Sequence, residues 1–170
     1  IGGIILDKIG IRITGFTFIF LQALGAALTA YGTTDYFLQG GLGYGLMESF
    51  LPSWSPALKM TTLGFFLFGL GAETSIVVIS KVIVKWFKGK EIALALGLNI
   101  AIARLGMAAA LVISPLLAKG DNLPLPIWFG AMLLGIGLLA FLVYMMIDMR
   151  FDKQVNERME ADPTEEFRIA

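Results

Sequence analysis

The sequence predicts an all-α fold, a multi-pass transmembrane helical bundle. Of its 170 residues, 57% are hydrophobic and only 15% are charged, whereas a soluble domain carries about 25% charged residues. The mean hydropathy is +0.80. Four apolar stretches, each long enough to cross a hydrocarbon layer about 30 Å thick, lie at residues 13–32, 60–84, 92–118 and 126–147. We therefore expect four complete spans within residues 1–149.

The first part of the chain alternates between apolar and charged segments. Residues 1–6 are apolar, and we interpret them as the end of an earlier helix. A short charged turn at residues 7–12 leads into the first span. Residues 33–59 are rich in Gly, Pro, Ser and aromatic residues, which predicts an external loop with short interfacial turns.

The second part contains two shorter connections and a polar tail. A basic turn at residues 85–91 joins the second span to the third, and Pro115 is predicted to stop the third span. Asp148 is expected simply to mark the end of the fourth span. Residues 150–170 lack apolar periodicity and are predicted to form a cytoplasmic tail or a linker between two halves, either solvated or as an interfacial helix.

The positions of Lys and Arg predict the orientation of the spans. The turns 7–12 and 85–91 and the tail 150–170 together carry nine basic residues, whereas the two opposite connections carry only Lys59 and Lys119. Because cytoplasmic segments are enriched in Lys and Arg, these turns and the tail are predicted to be cytoplasmic.

Glu73 and Arg104 are the two charges that lie deepest within the predicted spans. Each lies about thirteen residues, or ~20 Å of helix, from the turn centred on Lys88 and Gly89. A hairpin at this turn places an acid and a base at one depth near the bilayer centre. Buried charges cost free energy, so they are rare and usually belong to a pathway or a binding site. The residues alone leave open a ligand site or a structural salt bridge that locks the two helices.

Several function classes are excluded by residues that the chain lacks. It contains no cysteine and no histidine, which excludes disulfides, thiol chemistry, zinc sites and histidine proton relays. We also find no HExxH motif, no GxSxG motif and no pair of aspartates within a span. The sequence therefore predicts no enzyme, no cofactor, no metal site and no nucleic-acid partner.

The first charged turn carries a specific pattern of small and charged residues. The pattern is Gly3-x-x-x-Asp7-Lys8-x-Gly10-x-Arg12. It resembles the loop signature between the second and third helices of the major facilitator superfamily, although Ile13 replaces the second of two adjacent basic residues. The resemblance implies that these five residues form a conformational-switch loop.

This resemblance also implies the architecture and the partners of the chain. The spans would be helices 3 to 6 of an N-terminal six-helix half, preceded by the end of helix 2. The C-terminal half of the same transporter would be one partner and the lipid bilayer another. Such transporters bind solute near the midplane, between their two halves.

Residues 69–107 resemble one branch of this superfamily, the lysosomal dipeptide transporters. The resemblance rests on the run Trp86-Phe87-Lys88-Gly89-Lys90-Glu91, on Gly97-Leu98-Asn99 and on Ala103-Arg104-x-Gly106. Glu73 precedes Trp86 at the spacing of that branch, and Asn99 stands where its members have glutamine. The resemblance implies that Glu73 binds the ammonium end of a dipeptide and Arg104 its carboxylate, with Asn99 in the same site.

Three further residues are candidates for gating: Lys81, Trp86 and Lys88. Lys81 lies close enough to the cytoplasmic end of its span for its ammonium to reach the interface. Trp86 also has the position of an interfacial anchor. Both structural roles stay open beside the gating role.

The predicted function is secondary active or facilitative transport of a small zwitterionic solute by alternating access. A dipeptide is the solute that we favour. The alternatives are a carrier of organic anions or other metabolites, and a non-transporting scaffold in which Glu73 and Arg104 form a salt bridge. The chain contains no Asn-x-Ser/Thr glycosylation acceptor. We therefore favour a bacterial plasma membrane over a lysosomal one.

Overall fold

The computed structural model describes residues 10–87, 89–119 and 124–161, with backbone alone at residue 90 and residues 156–161. Six helices, numbered here in chain order, account for most of these residues. They are α1 (Ile11–Tyr31), α2 (Asp35–Leu38), α3 (Tyr44–Ser49), α4 (Pro56–Trp86), α5 (Lys90–Leu117) and α6 (Pro124–Ala161). Within the described residues, helices α1, α4, α5 and α6 are each long and apolar enough to cross a membrane.

Local capping chemistry explains where several helices begin. The Ser55 side chain accepts a hydrogen bond from the Leu58 amide at 3.3 Å, and Pro56 occupies the first turn of α4, where its missing N–H costs nothing. Thr34 caps α2 through the Phe37 amide in the same way. Gly89 precedes α5 with φ of 60°, a left-handed conformation that glycine adopts without strain.

Helix boundaries differ from the predicted spans at three places. Helix α4 begins at Pro56, so the last residues of the predicted loop 33–59 are helical, because Ser55 and Pro56 form a helix start. Helix α5 includes Pro115 and ends at Leu117. Proline there removes one bond of the last turn and does not end the helix at once.

The third difference concerns the polar tail. Helix α6 has 38 residues, or about 57 Å at 1.5 Å per residue, and is far longer than a hydrocarbon layer of about 30 Å. Its last turns, through Ala161, therefore extend beyond the span as continuous helix. The first half of the predicted tail is therefore helical.

Helices α1 and α4 form the most extensive pair in the fold, and glycine makes their close contact possible. A β-carbon built on Gly64 would lie 2.5 Å from the Thr29 amide nitrogen, and one on Gly71 would lie 2.5 Å from the Phe18 carbonyl oxygen. Only a residue without a side chain allows the two backbones to approach this closely. Small residues are the usual means of packing helices within a membrane.

Substitution of Gly64 by alanine is expected to destabilise the protein by about 1–3 kcal/mol, because the new methyl group meets backbone atoms that cannot move without separating the helices. Gly69→Ala on the same helix is the matched control, since a β-carbon there meets nothing within 4 Å. Thermal unfolding of the detergent-purified full-length protein measures both. Equal melting temperatures for the two variants would contradict the packing described here.

Helix α6 packs on α1, mainly near the end of the bundle that contains Arg12. Val78 of α4 and Phe141 of α6 are buried there, and Ile11, Ile19, Val82 and Tyr144 pack around them. A β-carbon on Gly15 of α1 would lie 3.0 Å from Val78 and would also meet the Phe141 ring. Helices α1, α4 and α6 therefore converge at this end, which we call the Asp148 end.

Helix α5 is packed very differently from the other three long helices. None of its described side chains is buried, and its contacts with α4 and α6 are few. Apolar residues such as Leu94, Leu105 and Leu111 are more than two-thirds exposed. The surface of α5 within the described chain is therefore open along most of the helix.

Candidate functional site

Glu73 lies in the middle of α4, on the side that faces away from α1. It is two residues from Gly71 and two from Ser75, both of which are buried against α1. At about 100° per residue, this spacing puts Glu73 on the opposite side of the helix. Thr62, Gly69 and Ser80 share that side, and the Glu73 side chain is exposed. Helix α4 thus combines a face packed on α1 with an opposite face of polar and apolar residues that carries Glu73.

Arg104 lies in the middle of α5 and is also exposed. Gly97 and Ala108 lie on the same side of the helix, as does the exposed Ile100. Asn99 is half-buried and precedes Arg104 by five residues, which separates the two side chains by about 140° around the helix. The structure therefore places Arg104 on the open face of α5 and Asn99 towards the side that contacts other helices.

Glu73 and Arg104 make no ion pair with each other among the described residues. The salt bridge that would lock the two helices is therefore not formed in this conformation. Both charges are presented from mid-helix positions, as their sequence spacing predicts.

An apolar crevice of ≈ 450 Å³ opens between α1, α4 and α6, and neither charge contributes to it. Its lining includes Gln22, Thr29, Phe68 and Leu134. Because the crevice lies on the packed side of α4, it is separate from the face that carries Glu73.

The remaining predicted site residues fall into two groups. Gly3, Asp7, Lys8 and Lys88 lie outside the described residues. Gly10 precedes α1 with φ of 93°, a conformation suited to glycine, and Lys81 is half-buried on α4. Trp86 is the last residue of α4, and its ring lies 5.0 Å from the ring of Phe151.

Asp148 is the centre of an ion-pair cluster, and the expectation that it only marks the end of a span was wrong. Its Oδ2 accepts from the Arg12 Nε at 2.7 Å, and its Oδ1 accepts from the Lys85 Nζ at 2.6 Å. The Tyr144 hydroxyl also donates to Oδ1, at 3.4 Å. Only 2% of the Asp148 side chain is exposed. One carboxylate thus links α1, α4 and α6.

Asp152 completes this cluster from the next turn of α6. Its carboxylate pairs with the Arg12 Nη2 and lies 3.4 Å from the Lys85 Nζ. Two cations and two carboxylates balance, which limits the cost of removing them from water. We call Arg12, Lys85, Asp148 and Asp152 the Asp148 cluster. The spacing of Asp148 and Asp152, four residues apart on one helix face, is the sequence signal that could have revealed it.

Comparison with protein families assigns this helical bundle. The family model of the Major Facilitator Superfamily matches residues 1–168. The chain belongs to this superfamily. The assignment confirms the multi-pass membrane fold and the predicted superfamily, and it places the chain among membrane transporters rather than enzymes. No solved structure gives a significant match.

Several curated relatives in this superfamily carry one name. The lysosomal dipeptide transporter MFSD1 of Mus musculus is 33% identical over 107 residues, which cover 62% of this chain and 19% of the relative. The Homo sapiens protein of that name is 31% identical over 106 residues, covering 62% of this chain and 18% of the relative. The Gallus gallus protein is 42% identical over 50 residues, covering 29% and 11%. The chain thus spans about a fifth or less of these relatives.

Proposed function

We propose that this chain forms one wall of the solute path in a secondary active or facilitative transporter of small zwitterions. Dipeptides are the substrates that we favour. The observation that carries the proposal is the placement of Glu73 and Arg104. They are an acid and a base at the middle of two neighbouring spans, both on exposed faces. A zwitterionic ligand supplies the opposite charge to each.

Arg104 is suited to bind the carboxylate end of such a ligand. A guanidinium presents a planar fork of donors that matches a carboxylate and stays charged when water is removed. The exposed position of Arg104, on a helix with no buried side chain among its described residues, leaves space for a ligand to approach. Asn99 has a subsidiary place in this proposal, because its side chain points about 140° away from Arg104.

Glu73 is suited to bind the ammonium end. An ionised glutamate accepts hydrogen bonds from an ammonium group, and a protonated one releases it. Thr62 and Ser80 are further polar residues on this side of α4. Separate anchoring of the two ends on α4 and α5 makes the distance between the ends of the ligand a criterion for selection.

The names of the relatives support the same substrate class. MFSD1 is a lysosomal dipeptide transporter by name, and it is similar to this chain at 33% identity over 107 residues. The Glu73–Arg104 spacing and the WFKGKE run are the features of this chain on which the resemblance to that branch rests. Binding by alternating access would also need the turn that contains Gly10 and Arg12 to rearrange, with Lys81, Trp86 and Lys88 near the gate.

Uptake by the full-length protein in proteoliposomes tests the substrate class. We expect unlabelled dipeptides to compete with a labelled dipeptide and free amino acids to compete poorly, as selection by the distance between the two charged ends requires. Competition by dicarboxylates instead of dipeptides would favour an organic-anion carrier. Absence of uptake by a folded, correctly oriented protein would favour the scaffold alternative.

The compartment and orientation are proposed on separate grounds. The predicted positive-inside arrangement puts residues 7–12, 85–91 and the tail in the cytoplasm, and a bacterial plasma membrane remains our proposal for the chain. The relatives are lysosomal by name. Cysteine labelling from each side of the membrane, at residue 119 and at residue 150, distinguishes the two orientations.

A further inference from the structure

The segment between α1 and α4 folds as a small unit, which we call the cap (residues 33–55). Phe37 of α2 and Met47 of α3 are buried against Met60 of α4. Leu28, Tyr31 and Tyr44 pack around them, and the Tyr31 hydroxyl donates to the Leu42 carbonyl oxygen at 3.2 Å. The cap is therefore fixed to the ends of both helices and is not a loose connection.

Lys59 of α4 binds the C-terminal part of the cap. Its side chain is buried, with the Nζ donating to the Met47 carbonyl at 2.5 Å and also to the Phe50 carbonyl. The ammonium lies 4.9 Å from the centre of the Phe50 ring. These contacts bury the ammonium of Lys59, the basic residue next to the cap. The exposed charges of the cap are the two carboxylates Asp35 and Glu48.

Large apolar side chains nevertheless cover much of the outside of this small unit. Leu42 is 79% exposed, and Leu46 of α3 is 67% exposed. The other large apolar residues exposed on the cap are Tyr36, Leu38, Phe50, Leu51 and Trp54. A fixed segment that keeps its Leu, Tyr and Trp side chains outside has a surface that favours contact with a partner.

The position of the cap identifies this partner as the bilayer. Both ends of the cap run directly into membrane spans, since α1 ends at Tyr31 and α4 begins at Pro56. The cap is thus held within a few residues of the hydrocarbon edge, where Trp and Tyr concentrate and where short helices bury apolar side chains. Its lack of an exposed cation argues against attraction by anionic headgroups.

We propose that the cap inserts its exposed leucine and aromatic side chains into the interface of the lipid leaflet at its end of the bundle. The contact is with neutral, zwitterionic lipid. It anchors the outer ends of α1 and α4 at a defined depth. The Glu48 side of α3 remains in water.

Site-directed spin labelling of the full-length protein in vesicles of zwitterionic phosphatidylcholine tests this contact. Leu46→Cys and Glu48→Cys place labels on the same short helix, two residues apart and at exposed positions. We expect dissolved oxygen, which concentrates in lipid, to relax the label at 46 several-fold more effectively than a water-soluble nickel complex does. The label at 48 should show the reverse preference. Normal uptake and a monodisperse elution profile would show that both variants are folded.

Three results would overturn the proposal. Equal access of the nickel complex to both labels would mean that the cap lies in water. Protection of the label at 46 from both reagents would mean that protein covers it, from a second copy or from another part of the transporter. Addition of anionic lipid should leave the depth of the label at 46 unchanged, and a clear deepening would assign the contact to charge instead.

Discussion

Replacement of Asp148 by asparagine is expected to lower the stability of the protein more than any other single charge removal at that end of the bundle. The substitution keeps the shape of the side chain but leaves Arg12 and Lys85, both within 2.7 Å of the carboxylate, without their closest counter-charge. Exposed ion pairs contribute up to about 1 kcal/mol, whereas loss of one partner of a buried pair costs about 3–5 kcal/mol. The cations here are about one-third exposed, so we expect about 1–3 kcal/mol.

Asp152→Asn is the matched control for this substitution. Asp152 faces the same two cations from the next turn of α6, but 43% of its side chain is exposed, so its loss should cost clearly less. Thermal unfolding of the purified full-length protein gives the comparison. A double-mutant cycle with Arg12→Gln should show that the loss at Asp148 shrinks once Arg12 is removed. Additive effects would show that the two residues do not act together.

Neutralising either intramembrane charge is expected to abolish most dipeptide uptake while leaving the folded protein intact. A hydrogen bond to a charged group contributes about 1.5–3 kcal/mol, which corresponds to roughly ten- to hundred-fold in affinity. Glu73→Gln and Arg104→Gln should each raise the apparent KM by about this factor. Arg104→Lys should restore little, because an ammonium cannot form the two parallel bonds of a guanidinium. Uptake assays with matched expression levels measure this.

Two comparisons separate a binding site from a structural lock. The charge exchange Glu73→Arg with Arg104→Glu keeps one acid and one base that could form a salt bridge. It reverses the positions of the two charges that a ligand would meet. Folding without transport is expected, and restored dipeptide uptake would favour the lock. Asn99→Ala provides the internal comparison and should have a smaller effect than the loss of Arg104, since its side chain projects from another side of α5. An equal effect would contradict the proposed arrangement.

The elements of this fold were largely readable from the sequence because each depends on local chemistry. Apolar stretches of about 20 residues specify membrane helices wherever they occur. The start of α4 at Ser55 and Pro56 also depends on local chemistry. This pair predicts a helix start within the segment whose composition predicted a loop. The length of α6 was harder to predict from the sequence. Its last turns are polar, and Phe151 packs against Trp86 of another helix, which no local pattern reveals.

The Glu73–Arg104 pair and the Asp148 cluster also differ in how far the sequence alone reveals them. Glu73 and Arg104 could be singled out from the sequence because a charge within an apolar span is costly wherever the helices pack. Asp148 sits near the end of its span, where a carboxylate is ordinary. Its importance appears only when the ends of α1 and α4 bring Arg12 and Lys85 to within hydrogen-bonding distance.

By itself, the sequence determined that this chain is a multi-pass helical bundle with a charge in the middle of each of two apolar helices, and its motifs carried the resemblance to the Major Facilitator Superfamily. Composition and spacing suffice for the bundle and the two charges, because the cost of burying a charge and the length needed to cross a bilayer do not depend on tertiary contacts. The tertiary structure alone decided that Glu73 faces away from α1, that Asp148 joins three helices, and that the cap keeps Leu42 and Leu46 outside. These features arise from the directions in which neighbouring helices present their side chains.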